Sequence, residues 1–314
     1  MKKQLFVLLI FSLFFLKVSI HFSFFQNSKD TTLSTKKIIS SLTESERFYL
    51  EYFFRVLFLH GNGYVLYGEK PSSFVSYSFP FQPLTMNAET YYQKFLAENF
   101  KIFNSLRFFE SYLMKKGWKT WEKIKEKLTI RKYLILKYHS NQDNVEGIIT
   151  VNKKTFIHTV NENRQYFSQL FGCQITGRRL IKILKENPLF FLEKIKSNNH
   201  ECIGILLGLG KYNSYLFQQR ENIRRKLTKT IYKKNSVHYQ KFLTEYNKYN
   251  TRLKPAFNGK FFRLSMCNLP GFVADSTTVE TKELETKYRK DQLKIIQELK
   301  NHNFLEKVLE RLIN

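Results

Sequence analysis

Residues 201–225 read ECIGILLGLGKYNSYLFQQRENIRR, in which an apolar run with three glycines precedes a polar segment and a basic helical pattern. The apolar side chains at 203, 205, 206, 207 and 209 would lie on nearly every side of a helix, so we expect this segment to be buried all round. Gly204 and Gly208 are four residues apart and would share one helical face, where another backbone could approach closely. Gly210 is the predicted residue after the helix end, where a positive φ is required.

The same stretch does not contain a phosphate-binding signature. The pattern G-x-x-x-x-G-K-[ST] would need Gly at 205 and Ser or Thr at 212, where the chain has Ile205 and Tyr212. The dinucleotide pattern fails in the same way, because Asn213 stands where its third glycine is needed. The sequence therefore indicates no nucleotide cofactor, and we expect no cofactor of another kind.

The other usual sites for metals and catalysis are also missing from the sequence. The seven histidines show no ligand spacing, and Cys173, Cys202 and Cys267 form no CxxC pair, so no metal site is predicted. Three cysteines in an exported chain could form one disulfide and leave one free thiol, although three buried thiols are the simpler interpretation. His200 and Cys202 could act as base and nucleophile, but side chains this close on a helix point in different directions.

Residues 1–22 have the pattern of a targeting segment. Lys2 and Lys3 precede the apolar run at residues 5–16, and Lys17 ends that run early, which favours a signal peptide over a full transmembrane span. We interpret residues 1–22 as a cleaved signal peptide, with an uncleaved inner-membrane anchor at residues 5–25 as the alternative. Residues 23–42 are polar and are predicted to be a linker. The protein is therefore expected to be exported to the periplasm, the envelope or the medium.

Residues 43–314 are predicted to form one α+β domain that is mostly helical and ends in an amphipathic helical segment. Capping boxes at Thr43–Glu46 and Thr277–Glu280 mark the starts of two helices. Two β-hairpins are expected, one formed by residues 64–67 and 73–77 and one by residues 131–139 and 147–151. We expect them to share a small antiparallel sheet with helices on one face.

The formal net charge is +26, and it is unevenly distributed. Residues 211–263 contain 14 Lys or Arg and two Glu, whereas residues 277–314 contain eight Lys or Arg and seven Asp or Glu. A basic surface predicts an anionic surface or an acidic partner. Tyr232, Tyr239 and Tyr246 are seven residues apart, which favours the inner stripe of a helix over a platform for stacking on bases.

Two stretches of the sequence resemble the sequences of one protein family. Residues 63–71 (GYVLYGEKP) and 204–217 (GILLGLGKYNSYLF) resemble an uncharacterised family of exported proteins from bacteria that live inside cells. The resemblance extends over about residues 44–314 and includes a final helix of mixed charge. It implies export and a single mixed domain, and it implies no activity.

The sequence favours a non-enzymatic binder of an anionic envelope or host component. If a binding groove exists, we expect it where five polar side chains could converge: Lys70, Lys211, Tyr212, Asn213 and Arg220. An enzyme of unknown class with a buried polar site remains the alternative. A cytoplasmic nucleic-acid-binding protein is a weaker alternative, because export would separate the protein from the genome. Contact with a membrane is expected only through the N-terminal segment or through lipid headgroups.

Overall fold

The computed structural model describes residues 35–78, 107–140, 145–196, 199–233, 236–256, 270 and 272–314. The predicted targeting segment, residues 23–34 and Cys267 lie outside the described residues. The chain folds as an α+β structure that is mostly helical, as the sequence predicted.

The first half of the chain supplies the central sheet and several of the helices on one of its faces. Residues 35–40 are helical (α1), and Phe58–Asn62 forms a π-helical turn. The elements that follow α1 are α2 (Glu44–Leu57), α3 (Gly63–Leu66), β1 (Ser72–Ser78), α4 (Arg107–Lys125), β2 (Tyr133–Ser140) and β3 (Val145–Asn152).

The second half is helical apart from one two-stranded sheet. A short 3-10 turn at Ile231–Lys233 lies between α10 and α11. The elements are α5 (Lys153–Glu162), α6 (Arg164–Phe171), α7 (Gly177–Glu186), α8 (Pro188–Lys196), α9 (His200–Leu206), α10 (Lys211–Lys229), α11 (Val237–Arg252), β4 (Leu253–Pro255), β5 (Val273–Asp275), α12 (Val279–Leu299) and α13 (Phe304–Ile313).

The main sheet has the order β1-β3-β2, and both of its strand pairs are antiparallel. The second predicted hairpin is confirmed as β2–β3. The first is wrong in its leading strand, because residues 63–66 form a helical turn and only β1 enters the sheet. Tyr64, Val65 and Leu66 are all fully buried, and a short apolar run of this kind cannot be assigned to strand or helix from periodicity alone.

Helices cover both faces of this sheet, which corrects the expectation of a one-sided cover. Ile148 in the central strand faces one hydrophobic core, and Ile149 faces the other. The first core contains α2, α4, α12 and α13, and the second contains α5 to α9. The continuous apolar run GIITV at residues 147–151 fits a strand that is buried on both sides.

The start of the domain also differs from the predicted boundary. The α1 helix and the residues after it belong to the first core, where Ile38 and Leu42 are buried. The described end of the predicted linker is therefore part of the packed structure. The capping box at Thr43 and Glu46 is present at the start of α2, as predicted.

The turn after α9 joins the two stretches that carry the family resemblance. Gly208 N–H donates to the carbonyl of Ile205 and Leu209 N–H to that of Gly204, which is a Schellman ending. Gly208 (φ 72°), not Gly210, is thus the residue after the helix end, and Gly210 (φ 88°) precedes α10. A Cβ on Gly208 would lie 2.7 Å from Pro71 Cδ and 2.8 Å from the Tyr288 hydroxyl oxygen.

Tyr288 of α12 completes this junction from the other side. Its hydroxyl donates to the carbonyl of Gly208 at 2.6 Å, and its ring meets the ring of Tyr64 edge to face at 5.5 Å between centroids. Ser72 Oγ donates to the carbonyl of Leu206 at 2.6 Å. The GYVLYGEKP stretch, the glycine-bearing turn and α12 therefore meet at one buried point.

We predict that Gly208→Ala destabilises the protein more than Gly172→Ala does. Both glycines have positive φ, so both substitutions lose about 1–2 kcal/mol through the left-handed backbone. Nothing lies within 4 Å of a Cβ on Gly172, whereas Pro71 and Tyr288 would have to move at Gly208. Denaturant unfolding of the two variants measures the difference. Equal losses would show that the junction around Gly208 is not tightly packed.

Candidate functional site

The predicted site residues at the start of α10 lie in a buried polar network. Asn213 is almost completely buried, and its amide nitrogen donates to the Thr281 hydroxyl at 3.0 Å. The Asn213 side-chain oxygen accepts from the backbone N–H of Asp275 at 3.2 Å. The Arg252 guanidinium donates to Asp275 and to the Tyr212 hydroxyl. This network ties α10 to β5, α11 and α12.

The N-terminus of α10 is occupied by a carboxylate of the chain itself. Glu280 accepts the backbone N–H groups of Tyr212 at 3.1 Å and Asn213 at 3.0 Å, one with each oxygen. These donors and the helix dipole are what an external anion would use. The predicted capping box at Thr277 and Glu280 is therefore wrong, because Thr278 caps α12 and Glu280 caps the neighbouring helix.

The remaining predicted site residues have different surroundings. Arg220 lies seven residues beyond Asn213, about 10 Å along the helix axis, where it pairs with Glu221 and stacks on the ring of Phe217. Lys70 is buried, with its ammonium group beside the backbone of Gly61. Lys211 is exposed. The structure thus brings Tyr212 and Asn213 into one network and places Arg220 and Lys70 elsewhere.

A groove of about 780 Å³ opens on a face that the predicted site did not include. It runs between the turn at residues 67–69, the outer face of α12 and the side chain of Arg311 on α13. Five cationic and three acidic side chains line it. The lining residues are Tyr67, Gly68, Glu69, Lys282, Glu283, Thr286, Lys287, Lys290, Asp291, Lys294 and Arg311.

The cations of the groove differ in how they are held. Lys287 pairs with Glu69 at 3.4 Å, and Lys294 lies 3.8 Å from Asp291. Lys282 and Lys290 are exposed and form no ion pair with any carboxylate of the described residues. These two ammonium groups are the ones whose charge is most available to a ligand.

Arg311 closes one end of the groove in a fixed position. Its Nε donates to the carbonyl of Leu66 at 2.7 Å, and its guanidinium carbon lies 5.5 Å from the centre of the Tyr67 ring. A cation held in this way loses less freedom when it meets a ligand than a free lysine does. The groove therefore combines a preorganised arginine with two exposed lysines, Lys282 and Lys290, that form no ion pair within the described residues.

Asp291 is the buried acid of the groove wall, with only 6 % of its surface exposed. Its Oδ2 is fully buried and accepts no well-formed hydrogen bond from the described residues. A Cβ on Gly68 would lie 2.2 Å from this oxygen, so the turn can approach α12 only with glycine there. Burial raises the pKa of Asp291, and the opposing charges of Lys294 and Lys287 reduce that rise without cancelling it.

Among the described residues that line the groove, Tyr67 and Asp291 both have a raised pKa, and neither acts on the other. Burial raises the pKa of Tyr67, and the charges that act on it come from Glu298 and Arg311 rather than from Asp291. Elsewhere, the His200 ring lies against Phe217 and Arg225, while Cys202 is a buried free thiol whose pKa is raised by burial. A protonated thiol is a poor nucleophile.

Two further properties concern metals and membranes. Within the described ranges, no cluster of three or more His, Cys, Asp or Glu side chains has an arrangement that could hold a metal ion. No described helix combines the length and the apolar character needed to cross a bilayer.

The sequence did not predict this groove because the net charge of a segment does not show how its charged residues are distributed among the faces of a helix. The last 38 residues have nearly balanced charge, which indicated an ordinary solvated surface. Lys282, Lys290 and Lys294 are multiples of four apart, so they lie on one face of α12. A helical projection of residues 279–299 would have shown this basic stripe.

Comparison with known proteins identifies no relative of this chain. No protein-family model, no curated protein and no solved structure matches the chain. The resemblance to an exported family therefore remains a prediction, and the functional argument depends on the geometry.

We predict that Asp291→Asn stabilises the protein at pH 7. The ionised carboxylate is disfavoured in the folded chain, so wild-type stability falls as pH rises from the ordinary value of 3.8 through the raised folded pKa of Asp291. The amide lacks this loss, and the gain should vanish below pH 3.8. Denaturant unfolding across the pH range measures it.

Asp275 provides a control in which the expected change in stability has the opposite sign. Burial raises its pKa, but hydrogen bonds from Thr277 and Arg252 outweigh burial and hold the pKa below its usual range. Asp275→Asn should therefore destabilise the protein at pH 7, and the loss should shrink as pH falls through the folded pKa. If Asp291→Asn lowered stability at neutral pH, as Asp275→Asn should, the conclusion that ionised Asp291 is unfavourable in the folded chain would be contradicted.

Proposed function

We propose that this protein is an exported, non-enzymatic binding protein whose groove along α12 holds an anionic component of an envelope or a host. The observation that carries the proposal is the pair of exposed lysines, Lys282 and Lys290, which have no carboxylate partner among the described residues and line the same groove as the fixed Arg311. Unpaired cations at a concave surface attract anions and concentrate them there.

The spacing of the cations favours an extended ligand. Lys282 and Lys290 are eight residues apart, about 12 Å along the helix. A chain that carries repeated phosphate, sulfate or carboxylate groups can meet both ammonium groups while the two lysine side chains extend outward, whereas a single small anion would have to draw the two side chains together. We therefore expect an acidic polymer, such as a phosphorylated or carboxylated polysaccharide.

The alternatives receive less support from the groove. An enzyme would be favoured by two perturbed titratable groups in contact at the groove, and the two in its lining, Asp291 and Tyr67, do not act on each other. Asp291 does act on Tyr288, but that tyrosine is buried outside the groove lining and its hydroxyl donates to the Gly208 carbonyl. Nucleic acid is also a polyanion, but the predicted signal peptide places the protein away from the genome. Export itself is a proposal that the N-terminal sequence supports.

We predict that the double variant Lys282→Gln/Lys290→Gln binds a fluorescently labelled short inorganic polyphosphate about tenfold more weakly than the wild type. Each exposed charge contact contributes on the order of 0.5–1 kcal/mol. Fluorescence anisotropy measures the affinity, and added salt should weaken wild-type binding more than that of the variant. Glu283→Gln should strengthen binding, because it removes an acid from the groove lining.

The matched control removes two exposed lysines on another part of the surface. Lys154 on α5 and Lys182 on α7 are exposed, so Lys154→Gln/Lys182→Gln lowers the net charge by the same amount. If the control lost as much affinity as the groove variant, binding would depend on overall charge and the groove would not be the site.

We predict that the mature protein begins near residue 20 and is found outside the cytoplasm. Fractionation of C-terminally tagged protein followed by N-terminal sequencing measures both properties. An intact N-terminus in the membrane fraction would indicate the anchor at residues 5–25. An intact N-terminus in the cytosol would contradict export and make nucleic acid the leading ligand of the groove.

A further inference from the structure

The hairpin formed by α10 and α11 extends away from both hydrophobic cores. The buried residues of α10 end at Ile223, and no residue that the structure describes between 224 and 252 is buried. The main partners of α11 are α10 and β4, and it buries none of its own residues. The predicted inner tyrosine stripe is therefore wrong, since Tyr239 and Tyr246 are only half-buried and Tyr232 lies outside the helix.

The far end of this hairpin exposes apolar side chains. Tyr232 is 97 % exposed, Val237 is 81 % exposed and Ile231 is 42 % exposed. We call these three residues the apolar tip. Aliphatic and aromatic side chains at the end of a projecting hairpin have no role in the stability of the cores, and their exposure to water is unfavourable.

The charge around the apolar tip has one sign. Residues 222–244 contain seven Lys or Arg and no Asp or Glu. Lys226, Lys229 and Lys241 are exposed around the tip, and Lys226 also lies 5.8 Å from the centre of the Phe242 ring, across the hairpin. The tip therefore combines apolar side chains with a ring of cations on both helices.

We infer that the apolar tip docks the protein onto the surface of an anionic lipid bilayer. Tyrosine is favoured at the boundary between headgroups and acyl chains, where its ring lies in the apolar layer and its hydroxyl remains hydrated. Ile231 and Val237 can enter the same layer, while the lysines reach the phosphates of anionic headgroups. The tip lies on the membrane and does not span it.

Other partners fit these residues less well. A nucleic acid could stack on Tyr232, but it offers no apolar surface for Ile231 and Val237. A stable protein interface commonly buries about 800 Å² per partner, far more than three side chains provide. The bilayer needs only a small apolar contact when cations add to it.

The test places a fluorescent reporter at the tip of the full chain. The apolar run at residues 5–16 can itself bind lipid, so total vesicle binding does not report on the tip. The native Trp118 and Trp121 are buried, and a Tyr232→Trp variant therefore adds one exposed indole. Val279→Trp is the control, since Val279 is 70 % exposed at the start of α12.

We predict that vesicles made of equal parts phosphatidylglycerol and phosphatidylcholine shift the emission of the Tyr232→Trp variant to shorter wavelength. Brominated lipids in these vesicles should quench it, and neither effect should occur with phosphatidylcholine alone. The inference is overturned if emission at position 232 does not change, if the Val279→Trp control changes as much, or if neutral vesicles act equally.

Lysine variants of the reporter protein test the electrostatic part. Lys226→Gln and Lys229→Gln should each raise the lipid concentration needed for half the shift roughly fivefold. Lys154→Gln/Lys182→Gln should leave it unchanged, and so should the groove variant Lys282→Gln/Lys290→Gln. A groove variant that abolished the shift would show that lipid binds along α12 and not at the tip.

Discussion

The hydrogen bond from the Tyr288 hydroxyl to the Gly208 carbonyl is the contact on which the architecture depends. It joins α12 to the turn after α9, and a Cβ on the same glycine would meet Pro71. The turn is held by its own backbone hydrogen bonds, and the Tyr288 hydroxyl supplies a donor for its partly buried Gly208 carbonyl. The two hydrophobic cores lie on opposite faces of the sheet, and this junction connects helices from both sides.

The same helix holds α10 in place through Glu280. Its carboxylate accepts the first free N–H groups of α10, and the Asn213–Thr281 hydrogen bond lies directly beside it. The Glu280 carboxylate thus occupies the N-terminus of α10, which is the position where a phosphate-binding protein would bind a phosphate. This explains in physical terms why a glycine-rich turn followed by a helix is structural here, although it superficially resembles a phosphate cradle.

Much of the fold was readable from local sequence, and the errors share one cause. The cap at Thr43 and the β2–β3 hairpin depend on nearest neighbours in the chain, and the structure contains both. The helical turn at residues 63–66, the second sheet face and the role of Glu280 depend on contacts with distant residues. Periodicity cannot supply such contacts, so these features could not be predicted from one sequence.

The candidate site was harder to predict because one face of α12 packs into the hydrophobic core and another face lines the groove. Tyr288, Ile295 and Leu299 face the core, while Lys282, Lys290 and Lys294 face the groove. Asp291 lies where these faces meet, buried beside Gly68 and within reach of the lysines. A carboxyl group in this position lowers the stability of the folded chain when it is ionised, yet it lies at the wall of the groove. This cost distinguishes Asp291 from Asp275, whose carboxylate is stabilised by hydrogen bonds from Thr277 and Arg252, and it places an electrostatically unfavourable group at the wall of the groove.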